Sequence, residues 1–267
     1  MHRPWISSGE TMTSRTRRNL VWLGGIALAY GALSRGPGLV RRVFPAAFDF
    51  QPVPGLDGFR RIARGDVSAV SPVLIGLDPD TGAEAVPAVP GLREDLCRHL
   101  FGRPSRAAVP VAYFSDYHCR YCRVLTPLLV QRADGGGPPI SITWHELPLL
   151  GASSRIAARA ALAAGMQGGA AAWHARMIGS SLVPTPSYFR QVAEDLGLDG
   201  ARLVTDLQRP EIDRQLGISR GLADLFGFPG TPALVVGRTA VLGRIEAHDL
   251  DRLIALEAEE AATAPCA

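Results

Sequence analysis

The spacing of hydrophobic and polar positions lays out most of the elements of this chain. Val109 to Phe114 is a nearly unbroken apolar run of strand length, which predicts a central strand covered on both faces. Ile140-Ser-Ile-Thr-Trp-His145 alternates with period two and predicts a half-buried strand. Leu234–Val236 and Thr239–Leu242 predict a hairpin across Gly237-Arg238, and Val73–Leu77 is a candidate first strand. Leu92, Leu96 and Leu100 are spaced for a short helix that carries Cys97. A longer helix is expected from Cys119 to about Arg132, capped by Asp116 or His118 and closed by Gly135-Gly-Gly-Pro-Pro139. A helical block follows. Its first helix is capped by Ser153-Ser154 and reaches about Ala164, and others are expected near 170–178, 187–196, 200–207 and 211–226. A closing helix spans Glu246 to about Glu259. Residues 35–60 are rich in Gly, Pro and Arg and read as an irregular arm, and no internal repeat is present.

Composition narrows the class. With 267 residues and 47% hydrophobic content, the chain can bury one good core with appendages. All 28 basic residues are arginine, which reads as the coding bias of a GC-rich bacterial genome. The net charge of +3 is unevenly spread: residues 1–64 carry 10 Arg against 3 acids, and the remainder 18 against 22. The excess surrounds an apolar segment, Asn19–Ser34, between Arg17-Arg18 and Arg35. That placement points to export or membrane attachment and away from nucleic-acid binding. The segment is short for a spanning helix, which needs about 20 apolar residues, and closer to a secretory core of about 7–15. Thr16-Arg-Arg-Asn-Leu-Val21 resembles a twin-arginine export motif, and Met12 is a candidate start. Cleaved signal and retained anchor both stay open.

The chemistry is carried by Cys119-Arg120-Tyr121-Cys122, directly after the central strand. Two thiols at this spacing form a redox pair, in which one thiolate attacks and the other resolves the mixed disulfide. The same spacing makes half of many zinc sites, and His118 beside the two thiols would complete three soft ligands for copper or zinc. A purely structural bridge there would constrain little chain entropy. At a helix N-terminus Cys119 meets unpaired N–H groups and the positive dipole end, with Arg120 and His118 as added cations. Cys119 is expected to be the more accessible sulfur. His118 reads equally well as a simple cap, and Asp116 reads as a cap rather than a proton carrier. His145 reads as a polar-face residue, Trp144 and Trp173 as core, and His99, His174 and His248 as surface. Cys97, alternating with leucines, reads as a buried free thiol, and Cys266 as part of a loose tail. A disulfide between them is the alternative that an even count offers.

Strand, CxxC helix, strand, helical block, Gly230-Thr-Pro-Ala233, hairpin and helix is the order of a thioredoxin fold with a helical insertion. Over about residues 108–256 the chain resembles the DsbA family of exported thiol:disulfide oxidoreductases. The resemblance is carried by Phe114–Cys122, by Leu147–Ser154 and by Gly230–Ala233. It implies an α/β, thioredoxin-like domain at 108–260 with an inserted helical subdomain at about 153–227. Before it stand a signal or anchor with linker (1–44) and a mostly irregular extension (45–107); a flexible tail (261–267) follows. It further implies that Cys119 attacks, Cys122 resolves and Pro232 is a cis-proline beside them. Thr231 and Tyr121 would bind substrate, His118 and Arg120 would tune the thiol, and no metal or cofactor would be needed. Pro127 would kink the active-site helix. One position departs from the pattern: Tyr113 stands where the family commonly has a buried acid, six residues before the first cysteine. The implied partners are cysteine-containing exported proteins and a DsbB-like or DsbD-like membrane redox partner, in the periplasm or another extracytoplasmic space. Oxidation of clients is the leading direction. A reductase or isomerase, or a copper- or zinc-binding protein using His118, Cys119 and Cys122, is the alternative.

Overall fold

The strand Val109–Ser115 alternates its side chains between two apolar cores, which is why its sequence shows no polar face. Val109, Val111 and Tyr113 enter one cluster, and Ala112 and Phe114 the other. The computed structural model describes Trp22 and residues 47–62, 65–69, 89–105, 107–180 and 185–266. The candidate strand Val73–Leu77 and, apart from Trp22, the apolar segment Asn19–Ser34 lie outside the described residues. Every element below belongs to the compact unit of residues 48–267. Among the described residues no helix is long and apolar enough to cross a membrane.

In chain order the elements are β1 (Gln51–Pro52), β2 (Arg60–Arg61), α1 (Leu96–Phe101), β3 (Val109–Ser115), α2 (Cys122–Asp134) and β4 (Ile140–Glu146). The helical insertion follows as α3 (Ala152–Gly165), α4 (Ala170–Met177), α5 (Pro186–Asp195), α6 (Gly200–Asp206) and α7 (Pro210–Phe226). The chain returns through β5 (Ala233–Val236), β6 (Thr239–Leu242) and α8 (Ala247–Glu259). The sheet order is β1-β2-β6-β5-β3-β4. β3 runs parallel to β4, as a crossover through α2 requires, and antiparallel to β5, which pairs antiparallel with β6 in the hairpin. One face packs against α2 and α8, the other against α1 and α7. Helices α3 to α6 build a third core around Trp173 and Phe189, and both Cys119 and Cys122 belong to it.

Several expectations need correction. Residues 51–61 are not wholly an irregular arm: they carry two short strands, β1 and β2, that extend the sheet beyond β6. Arg60 fastens them: its guanidinium bonds Glu257 at 2.8 Å and Glu260 at 2.7 Å and lies 3.8 Å over the Phe50 ring. Ser153 and Ser154 do not cap α3; Gly151 occupies that place, and Ser154 lies inside the helix. The caps of α5 and α6 are Thr185, which accepts Tyr188 N–H, and Asp199, which accepts Arg202 N–H. β4 is partly buried along most of its length because it is the sheet edge, so the alternation does not mark a polar face.

Cys97 is not a free thiol, and the tail is not loose. Cys97 and Cys266 form a disulfide, with residue 266 packed against the core that holds Leu100 and Phe101. The pairing closes a loop across 169 positions, far more chain than the redox pair spans. Replacing both residues by serine is expected to cost about 2–5 kcal/mol, because the unfolded chain regains that loop's entropy. Chemical denaturation measures it, and an unchanged midpoint would mean that the tail contacts alone hold the C-terminus.

Candidate functional site

The loop Asp116–Tyr121 follows the C-terminal end of β3, and α2 starts at Cys122, not at Cys119. Cys119 therefore precedes the helix. The Cys122 N–H, on the first helical residue, donates to Cys119 Sγ at 3.2 Å, so the helix N-terminus acts through that one bond. The Thr231–Pro232 peptide is cis, and it brings the Thr231 carbonyl to 3.3 Å from Cys119 Sγ, accepting from the thiol. The fold thus unites Cys119, Cys122 and Thr231 from segments 112 residues apart.

The two thiols are electrostatically unlike. Hydrogen bonding from the Cys122 thiol draws the Cys119 pKa down to about 6, opposed by burial and helped by the hydroxyls of Thr231 and Ser68. Burial pushes Cys122 well up, and its bond to Cys119 adds to the rise. At neutral pH Cys119 is mostly thiolate and Cys122 is thiol. The Thr231 hydroxyl is buried without a hydrogen-bond partner, and its proximity lowers the pKa of both thiols. Cys119 is fully buried, as is Cys122, against the expectation of an accessible first sulfur. The reason lies in the extension: Ser68 and Thr231 pair backbone to backbone beside it.

The flanking residues behave differently from their sequence reading. The Arg120 guanidinium lies 4.6 Å over the Tyr121 ring and bonds its hydroxyl, so its charge is committed to Tyr121. His118 is half-buried; its N–H donates to Asp116 Oδ1 at 2.8 Å and its Nε2 has no hydrogen-bond partner. Asp116 does not cap α2. It is buried, with Oδ1 also accepting Ser154 Oγ–H at 2.7 Å and Oδ2 accepting the N–H groups of Leu149 and Leu150 at 2.8 and 3.0 Å. Tyr113 fills the position of the missing acid as a buried phenol. It bonds Thr126 at 3.0 Å, meets Trp144 edge to face, and burial together with Cys122 holds its pKa well above the usual value. Among the described residues no three His, Cys, Asp or Glu side chains converge on a possible metal position.

Two histidines are core residues, not surface or polar-face ones. His145 is buried against Phe114, bonded to the Leu100 carbonyl at 2.9 Å, and desolvation lowers its pKa to about 4. His174 stacks on Trp144, bonds the Tyr117 hydroxyl at 3.0 Å and lies 2.9 Å from Glu146. Burial raises the Glu146 carboxyl, with His174 opposing the shift. This Tyr117–His174–Glu146 row ties the loop before Cys119 to α4 and β4. No single segment signals it, since each partner is supplied by a different element.

Residues 110–255 match the model of the DSBA-like thioredoxin domain. The chain belongs to that family. The DSBA-like family is one of thiol–disulfide oxidoreductases, and the fold around Cys119 and Cys122 is its fold. A thioredoxin-like oxidoreductase from Silicibacter pomeroyi DSS-3 is 33% identical, with 62% of this chain and 98% of that one covered and a TM-score of 0.53. The thiol-disulfide exchange protein alpha-DsbA2 from Wolbachia pipientis shares the fold at 19% identity, over 61% of this chain and 91% of its own, with a TM-score of 0.54. The catalytic domain of Proteus mirabilis ScsC does so at 20% identity, over 63% and 97%, also at 0.54. No curated protein matches the chain.

Proposed function

We propose that this DSBA-like protein oxidises cysteine pairs in exported proteins through the Cys119–Cys122 couple. The observation that carries the reading is the inequality of the two thiols, with Cys119 near 6 and Cys122 pushed well up. Stabilising the Cys119 thiolate stabilises the reduced pair, and a stable reduced form makes the disulfide an oxidant. In the forward step a client thiolate attacks Cys119 Sγ of the Cys119–Cys122 disulfide, and Cys122 leaves and takes up a proton. A second client thiolate then attacks the client sulfur and releases Cys119 as thiolate. The client is oxidised by two electrons, and the protein holds them until a DsbB-like membrane partner removes them. Pro232 and the backbone of Thr231 would receive the client strand, with Tyr121 beside it. The basic, apolar segment around Asn19–Ser34 supports export to an extracytoplasmic space. A copper or zinc role would use His118 with the two thiols, but the Cys122 N–H and the Thr231 carbonyl already engage the Cys119 sulfur.

The reduction potential against glutathione tests the direction. An oxidase should stand above about −200 mV, whereas a value below about −250 mV would assign the reductase branch. Its pH dependence carries the pKa signature. Below about pH 6 reduction takes up two protons and the potential should fall by about 59 mV per pH unit; above it only Cys122 takes one, and the slope should halve to about 30 mV. A single slope through pH 8 would mean that Cys119 has no lowered pKa.

A further inference from the structure

The segment Gly65-Asp66-Val67-Ser68-Ala69 lies against the cis-proline loop as an added piece of antiparallel strand. Ser68 N–H donates to Thr231 O at 2.7 Å and Thr231 N–H returns to Ser68 O at 2.9 Å, the paired exchange of an antiparallel bridge. Gly65 N–H to Leu242 O at 2.8 Å and Arg244 N–H to Asp66 O at 2.9 Å fasten its start. Gly230 is shaped for this crossing, because a Cβ there would stand 2.6 Å from Ser68 O. The Ser68 hydroxyl is near enough to the Cys119 sulfur to help lower its pKa, and Cys119 is wholly buried.

A client strand that pairs with Thr231 needs the same N–H and C=O, and each can serve only one strand. We propose that residues 65–69 are a built-in pseudosubstrate strap, in which Ser68 stands where a client cysteine would stand. The proposal rests on Cys119 being the attacking thiol. Serine carries oxygen where cysteine carries sulfur, so it fills the place but forms no disulfide. The strap must leave before exchange, and its attachment is suited to that. Gly65, Asp66 and Ala69 are exposed, and Val67 alone packs against a core cluster. A segment held by a few backbone bonds and one apolar side chain belongs to the low-stability part of a fold. The strap thus lets a client compete for the strand position while shielding the thiolate from small oxidants.

Two variants of the full chain test this. Ser68→Pro removes the N–H given to Thr231 O. Alkylation of reduced Cys119 by iodoacetamide at pH 7 should then rise about two- to tenfold, the equilibrium effect of one backbone hydrogen bond. Ser68→Cys combined with Cys122→Ser should close a disulfide from position 68 to Cys119 when treated with oxidised glutathione. The Cys119 thiolate attacks that disulfide and releases one glutathione thiolate; the introduced thiolate then displaces the second. Mass spectrometry should find the internal bridge and no retained glutathione. An unchanged alkylation rate in Ser68→Pro, or glutathione left on Cys119 in the double variant, would overturn the strap. Exchange with a cysteine peptide is measured in parallel. Exchange with no change in Cys119 reactivity sinks the strap alone. Faster alkylation without exchange in any form sinks the oxidoreductase reading instead, leaving residues 65–69 as a cover over Cys119.

Discussion

Replacing Cys122 by serine is expected to turn the protein into a trap that accumulates mixed disulfides through Cys119, while Cys119→Ser should leave neither exchange nor adducts. The size of the chemical bias can be worked out. At pH 7 a thiol of pKa about 6 is roughly nine-tenths ionised, and one above 9 is at most about 1% ionised, a ratio near 90. Nucleophilicity per thiolate falls with pKa at a slope of about 0.4–0.5, which returns a factor of about 20 to Cys122. The net preference is therefore only about fourfold at minimum, growing as the Cys122 pKa rises. Geometry supplies the rest. Cys119 precedes α2 and faces Thr231, whereas Cys122 is the first residue within α2 and is packed among Tyr117 and the helices of the insertion. Non-reducing gels of both variants from an oxidising compartment make the comparison. Adducts from Cys119→Ser would reverse the roles, and none from Cys122→Ser would remove the exchange reading.

The parts legible in the sequence are those encoded over short spans. β3, the redox pair, the hairpin and each helix of the insertion are specified by short runs of neighbouring residues, and Thr231-Pro232 is recognisable as a local motif. What escaped is decided between distant segments. His145 is buried because Leu100, 45 positions away, offers a carbonyl, and His174 because Tyr117, 57 positions away, offers a hydroxyl. A histidine in a helix or strand gives no local sign of such a partner. The Cys97–Cys266 bridge is hidden for the same reason, since a penultimate residue looks mobile until its sulfur has a partner. The burial of Cys119 depends on a segment about fifty residues upstream. One local sign was available there: glycine directly before Thr231-Pro232 leaves room for a passing backbone.

Asp116→Ala is expected to be the most destabilising single substitution near the site, at about 3–5 kcal/mol, or roughly 10 °C in melting temperature. Its carboxylate accepts from His118 N–H, Leu149 N–H, Leu150 N–H and the Ser154 hydroxyl, and the residue is only 1% exposed. Alanine would leave these four donors facing a void that excludes water, and an orphaned buried donor costs more than a bond contributes when made. Asp116→Asn separates charge from shape. Its oxygen can still serve His118 and Ser154, but its amide group then faces the N–H groups of Leu149 and Leu150, donor against donor. Asparagine should recover part of the loss and no more. The position also joins three parts of the site: the turn that carries Cys119, the loop after β4 and the first turn of α3. Loosening it should let the Cys119 N–H bond to the Asp116 carbonyl fray, so that the cysteine pKa rises toward its ordinary value along with the fall in stability. Thermal melts of the reduced proteins with a pH series of Cys119 alkylation read both effects. An alanine variant that melts within about 2 °C of the parent, or an asparagine variant fully equal to it, would show that the carboxylate does not hold this junction.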